Sequence, residues 1–339
     1  MRTLHDELLS HHTTLRVGGP ARRFVVAETE QDIIDVVREC DATGEQLFIL
    51  GGGSNVVMAD SGFDGTVLHI ATKGMQVETA ACAGATVTVA AGEVWDDFVA
   101  HAVAHEWSGI EGLSGIPGTV GATPIQNVGA YGQDVSQTIS RVRAYDRVAK
   151  QTRTFYFESC NFGYRTSVFK EHMPRLVVLD VQFQLRLGAQ SMPIEYAELA
   201  RDLGVEVGKR STSAAVRAAV LRLRSSKGMV LDADDHDTWS VGSFFVNPLI
   251  EARMAPTGAT VWPQPDGRVK VSAAWLIDHC VGKGYELNGA ATSSKHALAI
   301  TNRGTATAES IKELANLIRA RVRVAYSIDL EPEPTFVNR

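Results

Sequence analysis

The chain has 339 residues, of which 45% are hydrophobic and 21% charged, and this predicts a folded protein of two or three domains. Its net charge of −6 argues against a general nucleic-acid binder, since neutralising phosphates requires a basic surface. Cys40, Cys82, Cys160 and Cys280 lie far apart without a C-x-x-C pair, so we expect neither a metal site nor a disulfide framework. No segment has the character of a signal peptide or the length of a membrane span, and we expect a cytoplasmic protein without a membrane partner.

The first half of the sequence alternates helical and strand patterns. Residues Thr29 to Asp32 form a capping box that opens a helix ending near Gly44. From Trp95 onward apolar residues repeat at helical spacing, and Gly109 is the predicted end of that helix. Strands are predicted over 47–50, 65–70, 85–92, 141–146, 152–157 and 176–187. This half is therefore predicted to be α+β.

The pattern changes near residue 190. Helices are predicted over 213–224, 272–280 and 308–322, with a strand over 296–302 and a turn at 242–248. The first of these helices carries Arg217, Arg222 and Arg224, and two interpretations stay open: a basic patch for a pyrophosphate, or an exposed charged face. We place the domain boundary between 190 and 213.

The segment GLSGIPGTVGATPIQNVGAYG, residues 112–132 and hereafter the glycine-rich segment, has six glycines and no charged side chain. Its backbone N–H groups can approach a pyrophosphate closely, because glycine has no Cβ to hold the anion away. No Gly-Lys pair precedes Ser or Thr, which excludes a Walker A loop, and the GGGSN loop at 51–55 lacks the last glycine of a Rossmann fingerprint. Two turns that merely pack together are the structural alternative, but an ordered segment this long favours a ligand. Its neutral polar groups suit a flavin dinucleotide.

Seven segments then stand in a characteristic order. They are HTTLRVGGPA (12–21), ILGGGSNVV (49–57), IPGTVGATPIQNVGAYG (116–132), FGYRTSVFK (162–170), GSFFVNP (242–248), AAWLID (273–278) and LEPE (330–333). Together they resemble the UDP-N-acetylenolpyruvoylglucosamine reductase family of peptidoglycan precursor synthesis, in its longer subtype with a tyrosine loop over the nucleotide. The resemblance implies an α+β fold. Residues 1–190 would form a two-lobed FAD-binding module of the vanillyl-alcohol-oxidase (PCMH) type, with lobes of about 1–72 and 73–190. A linker with the tyrosine loop would follow at 191–212, and a C-terminal α+β substrate-binding domain at 213–339.

The resemblance implies a cofactor, a co-substrate, a substrate and the residues that bind them. FAD would be bound without a covalent link, since the GGGSN loop offers no histidine, and NADPH would be the co-substrate. The substrate would be the enolpyruvyl ether of UDP-N-acetylglucosamine, reduced to UDP-N-acetylmuramate by a monomer. The implied FAD-binding positions are Gly51, Gly52, Gly53, Ser54, Asn55, Ile116, Pro117, Gly118, Thr119, Gly121, Ala122, Gln126, Asn127, Gly129 and Ala130. The implied substrate-binding positions are Tyr131, Tyr164, Tyr196, Lys227 and Asn247.

Three further residues would carry the implied chemistry, in which NADPH reduces FAD and flavin N5 then delivers hydride to the vinyl carbon of the substrate. Arg165 is always protonated and can fork onto a carboxylate, so it would stabilise the enolate. Glu333 would assist as a neutral acid. Ser243 would protonate the carbon of the enolate that hydride transfer leaves behind. Taken singly, each has a plainer interpretation as a surface ion pair, a solvated carboxylate or a turn cap. A flavin oxidase of the same superfamily and a non-catalytic flavin or UDP-sugar binder are the alternative functions.

Two positions depart from the family pattern. The family commonly reads SFFKNP, and Val246 stands where that lysine would be. After Glu333 the family usually continues Val-x-x-Ile-Gly, whereas Pro334, Thr335 and Phe336 follow here. The first departure puts one nucleotide or NADPH contact in question, and the second raises the question whether Glu333 keeps its place.

Overall fold

The structure is a computed structural model that describes residues 1–80 and 84–338, so Cys82 lies outside the described residues. The helices are α1 (Glu30–Thr43), α2 (Trp95–Ala104), α3 (Val168–Glu171), α4 (Ala197–Leu203), α5 (Ser213–Ser226), α6 (Ala273–Cys280) and α7 (Ala308–Tyr326). The strands are β1 (Arg2–Leu8), β2 (Pro20–Ala27), β3 (Leu47–Leu50), β4 (Val56–Met58), β5 (Phe63–Ile70), β6 (Met75–Ala80), β7 (Gly84–Ala90), β8 (Trp107–Ser108), β9 (Gly129–Ala130), β10 (Gln133–Asp134), β11 (Ile139–Asp146), β12 (Gln151–Tyr156), β13 (Leu176–Leu187), β14 (Leu249–Glu251), β15 (Val261–Pro263), β16 (Arg268–Val271), β17 (Glu286–Leu287), β18 (Ala290–Thr292), β19 (Ile300–Asn302) and β20 (Thr335–Val337). Across this described part, no helix is both long and apolar enough to cross a membrane.

The described residues form two compact units. The first contains Met1–Glu7, Ala21–Gly52 and Asp64–Ser225, and the second contains Leu8–Pro20, Gly53–Phe63 and the chain from Ser226 onward. The domain boundaries predicted from the sequence stay a prediction.

Two sheets organise the first unit. One has the strand order β1-β2-β5-β3, with β3 parallel to β5, and the other has the order β12-β11-β13-β7-β6. Strand β13 pairs with β11 on one side and β7 on the other, and it presents Phe183 to the rings of Trp95 and Phe98 on α2. These aromatic side chains are buried, and they anchor α2 on the sheet.

The start of α1 follows the sequence prediction, and the end of α2 does not. Thr29 and Asp32 exchange side-chain and backbone hydrogen bonds in a capping box, and Gly44 ends α1 in the left-handed conformation. The predicted end of α2 at Gly109 is wrong, because the helix ends at Ala104. Glu106 has a φ of +56°, and the chain then pairs with β13 as β8.

Helices α6 and α7 and the sheet β17-β18-β19 form the centre of the second unit. The apolar face predicted for the last helix is confirmed, since all of its members are buried: Ile311, Leu314, Ala315, Ile318 and Val322. A second small sheet has the order β14-β16-β15, and β20 runs parallel to β4. The predicted strand over 296–302 is shorter than expected, because a turn from His296 to Ala299 precedes β19.

Candidate active site

The glycine-rich segment is ordered by short elements and by contacts to α2. A 3-10 turn at Glu111–Leu113 overlaps its start, a second lies at Val120–Ala122, and its end forms β9, which pairs with β10 just beyond it. The N–H of Gly115 donates to the Asp96 carboxylate at 2.6 Å, and the N–H of Trp95 donates to the Gly118 carbonyl at 3.0 Å. The first turn of α2 therefore holds the centre of the segment.

Gly51 and Gly52 lie against this segment within the first unit. A Cβ added to Gly52 would lie 2.7 Å from the Gly118 Cα, and one added to Gly51 would lie 2.7 Å from the Thr119 Oγ1. Both distances are shorter than van der Waals contact allows, so glycine permits this close approach of the two backbones. These two turns therefore do pack together, as the structural alternative predicted. The same contact brings two implied FAD-binding segments together.

The backbone also offers donors for a pyrophosphate. In the described part of the first unit, the N–H groups of Gly51, Gly52, Gly118 and Thr119 have no protein acceptor. Such groups, in segments where glycine leaves the backbone open, are the donors that bind phosphate oxygens. These residues therefore fit the pyrophosphate of FAD.

Several polar side chains of the glycine-rich segment are engaged by the protein itself. Ser114 Oγ and Thr123 Oγ1 donate to nearby backbone carbonyls at 2.7 and 2.8 Å. Asn127 donates through Nδ2 to the Gly163 carbonyl at 3.1 Å, and Gln126 accepts from Lys170 Nζ at 3.1 Å. These side chains stabilise the shape of the segment, which leaves ligand binding mainly to the backbone.

Arg165 lies in a tight turn and reaches back to the glycine-rich segment. Gly163 and Thr166 exchange backbone hydrogen bonds, so Tyr164 and Arg165 are the two residues of the turn. The half-buried guanidinium donates through Nη2 to the Gly129 carbonyl at 3.0 Å. The structure thus brings Arg165 to the end of the implied FAD-binding segment.

Three implied site residues have a backbone conformation that side chains disfavour. The φ angles of Asn127, Tyr131 and Arg165 are +42°, +51° and +57°. Such left-handed residues cost on the order of 1 kcal/mol each and cluster at functional sites. Three of the eleven non-glycine residues with positive φ in the described part of the chain thus fall at implied site positions.

Tyr131 and Tyr196 form an aromatic pair in the first unit. Their ring centroids are 5.3 Å apart and the rings are nearly perpendicular, at 81°. Burial raises the pKa of the Tyr131 phenol to about 12, with nearby Arg224 acting in the opposite direction. Burial also raises the pKa of Tyr196, so both side chains are neutral hydrogen-bonding groups at physiological pH.

Two of the three arginines predicted on α5 pair with carboxylates of the first unit. Arg217 makes a two-point ion pair with Asp96, at 2.6 and 2.8 Å, and Arg222 pairs with Asp202 at 2.6 Å. Burial raises the pKa of the Asp96 carboxyl, but the hydrogen bonds from Arg217 and Gly115 outweigh it and lower the pKa overall. Arg217 therefore links α5 to the helix turn that holds the glycine-rich segment.

In the second unit, Ser243 and Glu333 lie on two facing segments. The N–H of Glu333 donates to the Phe244 carbonyl at 2.9 Å, and the N–H of Val246 donates to the Glu331 carbonyl at 3.0 Å. Ser243 and Glu333 are both half-buried. The structure thus brings two of the three implied catalytic residues together, while Arg165 belongs to the first unit.

The residues after Glu333 have a defined place despite their departure from the family pattern. The N–H of Thr335 donates to the Asn55 carbonyl at 3.0 Å, and Asn55 Nδ2 donates to the Glu333 carbonyl at 3.4 Å. Thr335–Val337 then forms β20, which pairs with Val56–Met58. Glu333 is therefore held between the end of the GGGSN loop and the segment that carries Ser243.

Two implied substrate-binding residues, Asn247 and Lys227, belong to the second unit. Asn247 Oδ1 accepts a hydrogen bond from the N–H of Ala273 at 2.9 Å, at the first residue of α6. This contact uses the amide oxygen of Asn247 for helix capping. Lys227 directly follows α5 and is half-buried.

The sequence interpretation missed two carboxylates that organise the site, Asp96 and Glu111. Asp96 lies in the first turn of α2, and Glu111 directly precedes the glycine-rich segment and is fully buried. The only signal for Glu111 was its position as the charged residue next to 21 uncharged ones.

Comparison with known proteins agrees with this geometry. Residues 21–154 match the model of the FAD binding domain family. The fold and the glycine-rich site thus define a flavoprotein with an FAD-binding module. Residues 234–337 match the C-terminal domain of UDP-N-acetylenolpyruvoylglucosamine reductase.

Relatives and a solved structure match along nearly the whole chain. The chain is 54% identical to the UDP-N-acetylenolpyruvoylglucosamine reductase of Cutibacterium acnes, over 98% of this chain and 89% of that protein. It is 52% identical to the corresponding protein of Salinispora arenicola, over 97% of this chain and 94% of that one. The crystal structure of the Thermus caldophilus reductase matches with a TM-score of 0.69 at 26% identity and covers 99% of each chain. The chain belongs to the UDP-N-acetylenolpyruvoylglucosamine reductase family. The resemblance, the α+β fold with its FAD-binding module and the use of FAD by an enzyme are thereby confirmed.

Proposed function

We propose that this chain reduces the enolpyruvyl ether of UDP-N-acetylglucosamine to UDP-N-acetylmuramate with NADPH, as a cytoplasmic monomer of the longer subtype. The observation that carries the proposal is family membership over nearly the full length of the chain. FAD, when bound, would pass hydride from NADPH to the substrate. The residues of the chain would bind and orient the reactants, stabilise charge and supply a proton. The domain limits drawn near 190 and 213 belong to the same proposal.

The backbone of two segments would hold FAD. Gly51, Gly52, Gly118 and Thr119 offer N–H groups that suit the pyrophosphate, and the resemblance adds Gly53, Ser54 and Asn55. The remaining implied positions, from Ile116 to Ala130, follow along the same segment, whose side chains are largely engaged within the protein. A binding surface made of backbone groups explains why the segment needs no lysine.

Arg165 would stabilise the negative charge that develops on the substrate carboxylate. Its guanidinium is oriented by the carbonyls of Asn127 and Gly129, at 3.5 and 3.0 Å. A guanidinium carries five N–H donors in a planar fork that matches a carboxylate. A fixed cation that is oriented before the reaction stabilises developing charge without reorganising at that moment. The positive φ of Arg165 supports this role, since disfavoured conformations persist where function requires them.

Ser243 would donate the proton to the substrate carbon, and Glu333 would assist as a neutral acid. Phe244 and Phe245, which follow Ser243, are buried in the core of the second unit and fix the backbone at Ser243. The hydroxyl of a fixed serine can serve as a general acid when a neighbour or water polarises it. The backbone hydrogen bond between the two segments supports a shared task for Ser243 and Glu333.

Tyr131, Tyr164, Tyr196, Lys227 and Asn247 would bind the substrate. The tyrosine pair offers two neutral hydroxyl groups, and Lys227 a charge for the pyrophosphate of UDP. Asn247 would have its amide nitrogen available for the substrate while its oxygen caps α6.

An anaerobic titration of the purified protein tests this function against its alternatives. We expect NADPH to bleach the visible absorbance of the flavin, and UDP-N-acetylglucosamine enolpyruvate to restore it. Recovery with oxygen but not with this substrate would favour a flavin oxidase. A protein that binds flavin yet shows neither response would favour a non-catalytic binder.

A further inference from the structure

Glu111 is a fully buried carboxylate that accepts three hydrogen bonds. One oxygen accepts from the N–H of Gly109 at 2.6 Å, and the other accepts from the N–H of Met192 at 2.6 Å and from Gln133 Nε2 at 3.0 Å. A carboxylate can accept on both oxygens at once, which no neutral side chain of this size can do. Glu111 is therefore a shared acceptor for its own segment, through Gly109, and for two distant segments of the first unit.

Two of these segments carry the tyrosine pair. Gln133 follows Tyr131 in the β9–β10 hairpin, and its Oε1 accepts from the N–H of Gly112 at 2.7 Å. Met192 is four residues before Tyr196. The Glu111 carboxylate thus joins, at a single point, the chain segments that lead to the two rings.

The packing between these segments is close at the tyrosines. A Cβ added to Gly132 would lie 3.2 Å from the Glu195 Cβ, so the turn after Tyr131 touches the residue before Tyr196. Tyr196 itself is 38% exposed. This half-exposed ring lies at the start of the short helix α4 and contacts Tyr131, so its position depends on the segment before it as well as on that contact.

We infer that Glu111 is a positioning residue, which fixes the segment before Tyr196 against the glycine-rich segment and so sets the Tyr131–Tyr196 pair. The consequence for substrate affinity rests on the substrate-binding role of Tyr196 proposed above. Glu111 does not touch the reacting atoms in this assignment. It connects the part of the chain that would hold FAD with the part that would cover the nucleotide.

Hydrogen exchange on the FAD-loaded enzyme tests the contact directly. Glu111→Met keeps a similar side-chain length and removes both accepting oxygens. We expect amides in 190–196 to exchange about tenfold faster or more, since an N–H that loses its bond to a carboxylate loses protection. Amides within β13 should be unaffected.

Glu106→Gln, at an exposed glutamate five residues earlier, is the matched control and should leave all peptides unchanged. Unchanged exchange over 190–196 in Glu111→Met would overturn the inference.

A second variant covers the case in which Glu111→Met does not fold. Glu111→Gln keeps one accepting oxygen, so either Gly109 or the pair of Met192 and Gln133 loses its acceptor. Faster exchange in 107–113 or in 190–196 would support the shared acceptor. No change in either peptide would overturn it.

Kinetics separate positioning from a general structural role. In Glu111→Met we expect KM for the UDP-sugar substrate to rise about tenfold, with flavin reduction by NADPH changed less than about twofold. Combining the substitution with Tyr196→Ala should raise KM no further, because both changes act through the same side chain. Additive effects on KM would overturn the inference. If Tyr196→Ala alone leaves KM unchanged, the proposed substrate role of Tyr196 is wrong, and the exchange result decides on Glu111 separately.

Discussion

The N–H of Glu333 donates a 2.9 Å hydrogen bond to the carbonyl of Phe244, which places the proposed acid opposite the residue that follows Ser243. Phe245 and Pro332 form a bridge at the next position, so the two segments run antiparallel. Phe244 and Phe245 are buried, and each contributes about 2 kcal/mol by leaving water. The burial of these two neighbours thus fixes the backbone at Ser243.

Ser243→Ala should therefore separate the two half-reactions. Flavin reduction by NADPH should be unchanged, while reoxidation by the UDP-sugar substrate should slow about 10²- to 10⁴-fold, the range of a lost general acid. Stopped-flow absorbance of the flavin measures each step.

The control for this experiment is Ser61→Ala, at an exposed serine of the same unit, which should leave both rates unchanged. Equal slowing of both half-reactions in Ser243→Ala would show that Ser243 is not the proton donor.

Gly52→Ala should prevent FAD binding. The new Cβ would lie 2.7 Å from the Gly118 Cα, and backbone cannot move aside as a flexible side chain can. The two segments would separate, and the donors at Gly118 and Thr119 would leave their positions. We expect purified Gly52→Ala protein to contain less than about a tenth of the wild-type flavin, as measured by absorbance after denaturation.

Gly204→Ala controls for general destabilisation. Gly204 has a φ of +66° at the end of α4, with no atom within 4 Å of an added Cβ. The substitution should cost about 1 kcal/mol from backbone strain and keep the full flavin content. Normal flavin content in Gly52→Ala would contradict the proposed cofactor site.

Local features of the fold could be predicted from the sequence. The capping box of α1 involves residues three apart, and the buried face of α7 repeats at helical spacing, so each is visible in a short window. The glycine-rich segment and the family motifs were equally visible, and they led to FAD.

Contacts between distant residues could not be predicted in this way. Arg217 meets Asp96 across 121 positions and Met192 meets Glu111 across 81, and no spacing rule connects such pairs. The sequence therefore left open whether Arg217 belongs to a phosphate patch or to an exposed charged face, whereas in the fold it pairs with Asp96 inside the first unit. The position of Glu111 beside an uncharged segment did not reveal its partners, because Gln133 and Met192 come close to it only in the folded chain.

Arg165→Lys should impair the step in which charge develops on the substrate. A lysine has no planar fork, so it cannot both contact the Gly129 carbonyl and bind a carboxylate at two points. We expect kcat for the overall reaction to fall about 10²- to 10³-fold, the effect of losing an oriented stabilising donor. Steady-state kinetics measure this fall, and stopped-flow measurements should show flavin reduction by NADPH within about threefold of wild type.

The matched control is Arg186→Lys, at an exposed arginine of the same unit, which should change neither parameter. A normal kcat in Arg165→Lys would mean that a single positive charge is sufficient, and the forked contact would have no role.

Asp146→Asn should lower stability at neutral pH and less so in acid. The Asp146 carboxylate is buried and accepts from Arg175 at 2.7 and 2.9 Å and from Arg153 at 3.0 Å. The hydrogen bond from Arg175 lowers the pKa of Asp146 most, so its stabilising effect is complete above the unfolded value of about 3.9 and is lost as pH falls toward the lowered folded pKa. Breaking a buried pair costs about 3–5 kcal/mol. Both arginines are partly exposed and solvent screens their charges, so we expect Asp146→Asn to lower the free energy of unfolding by about 2–3 kcal/mol at pH 7. Urea unfolding at pH 7 and pH 3 should show a smaller difference between wild type and variant at pH 3, with the exposed Asp266→Asn as control. An equal difference at both pH values would mean that the carboxylate charge of Asp146 does not stabilise the fold.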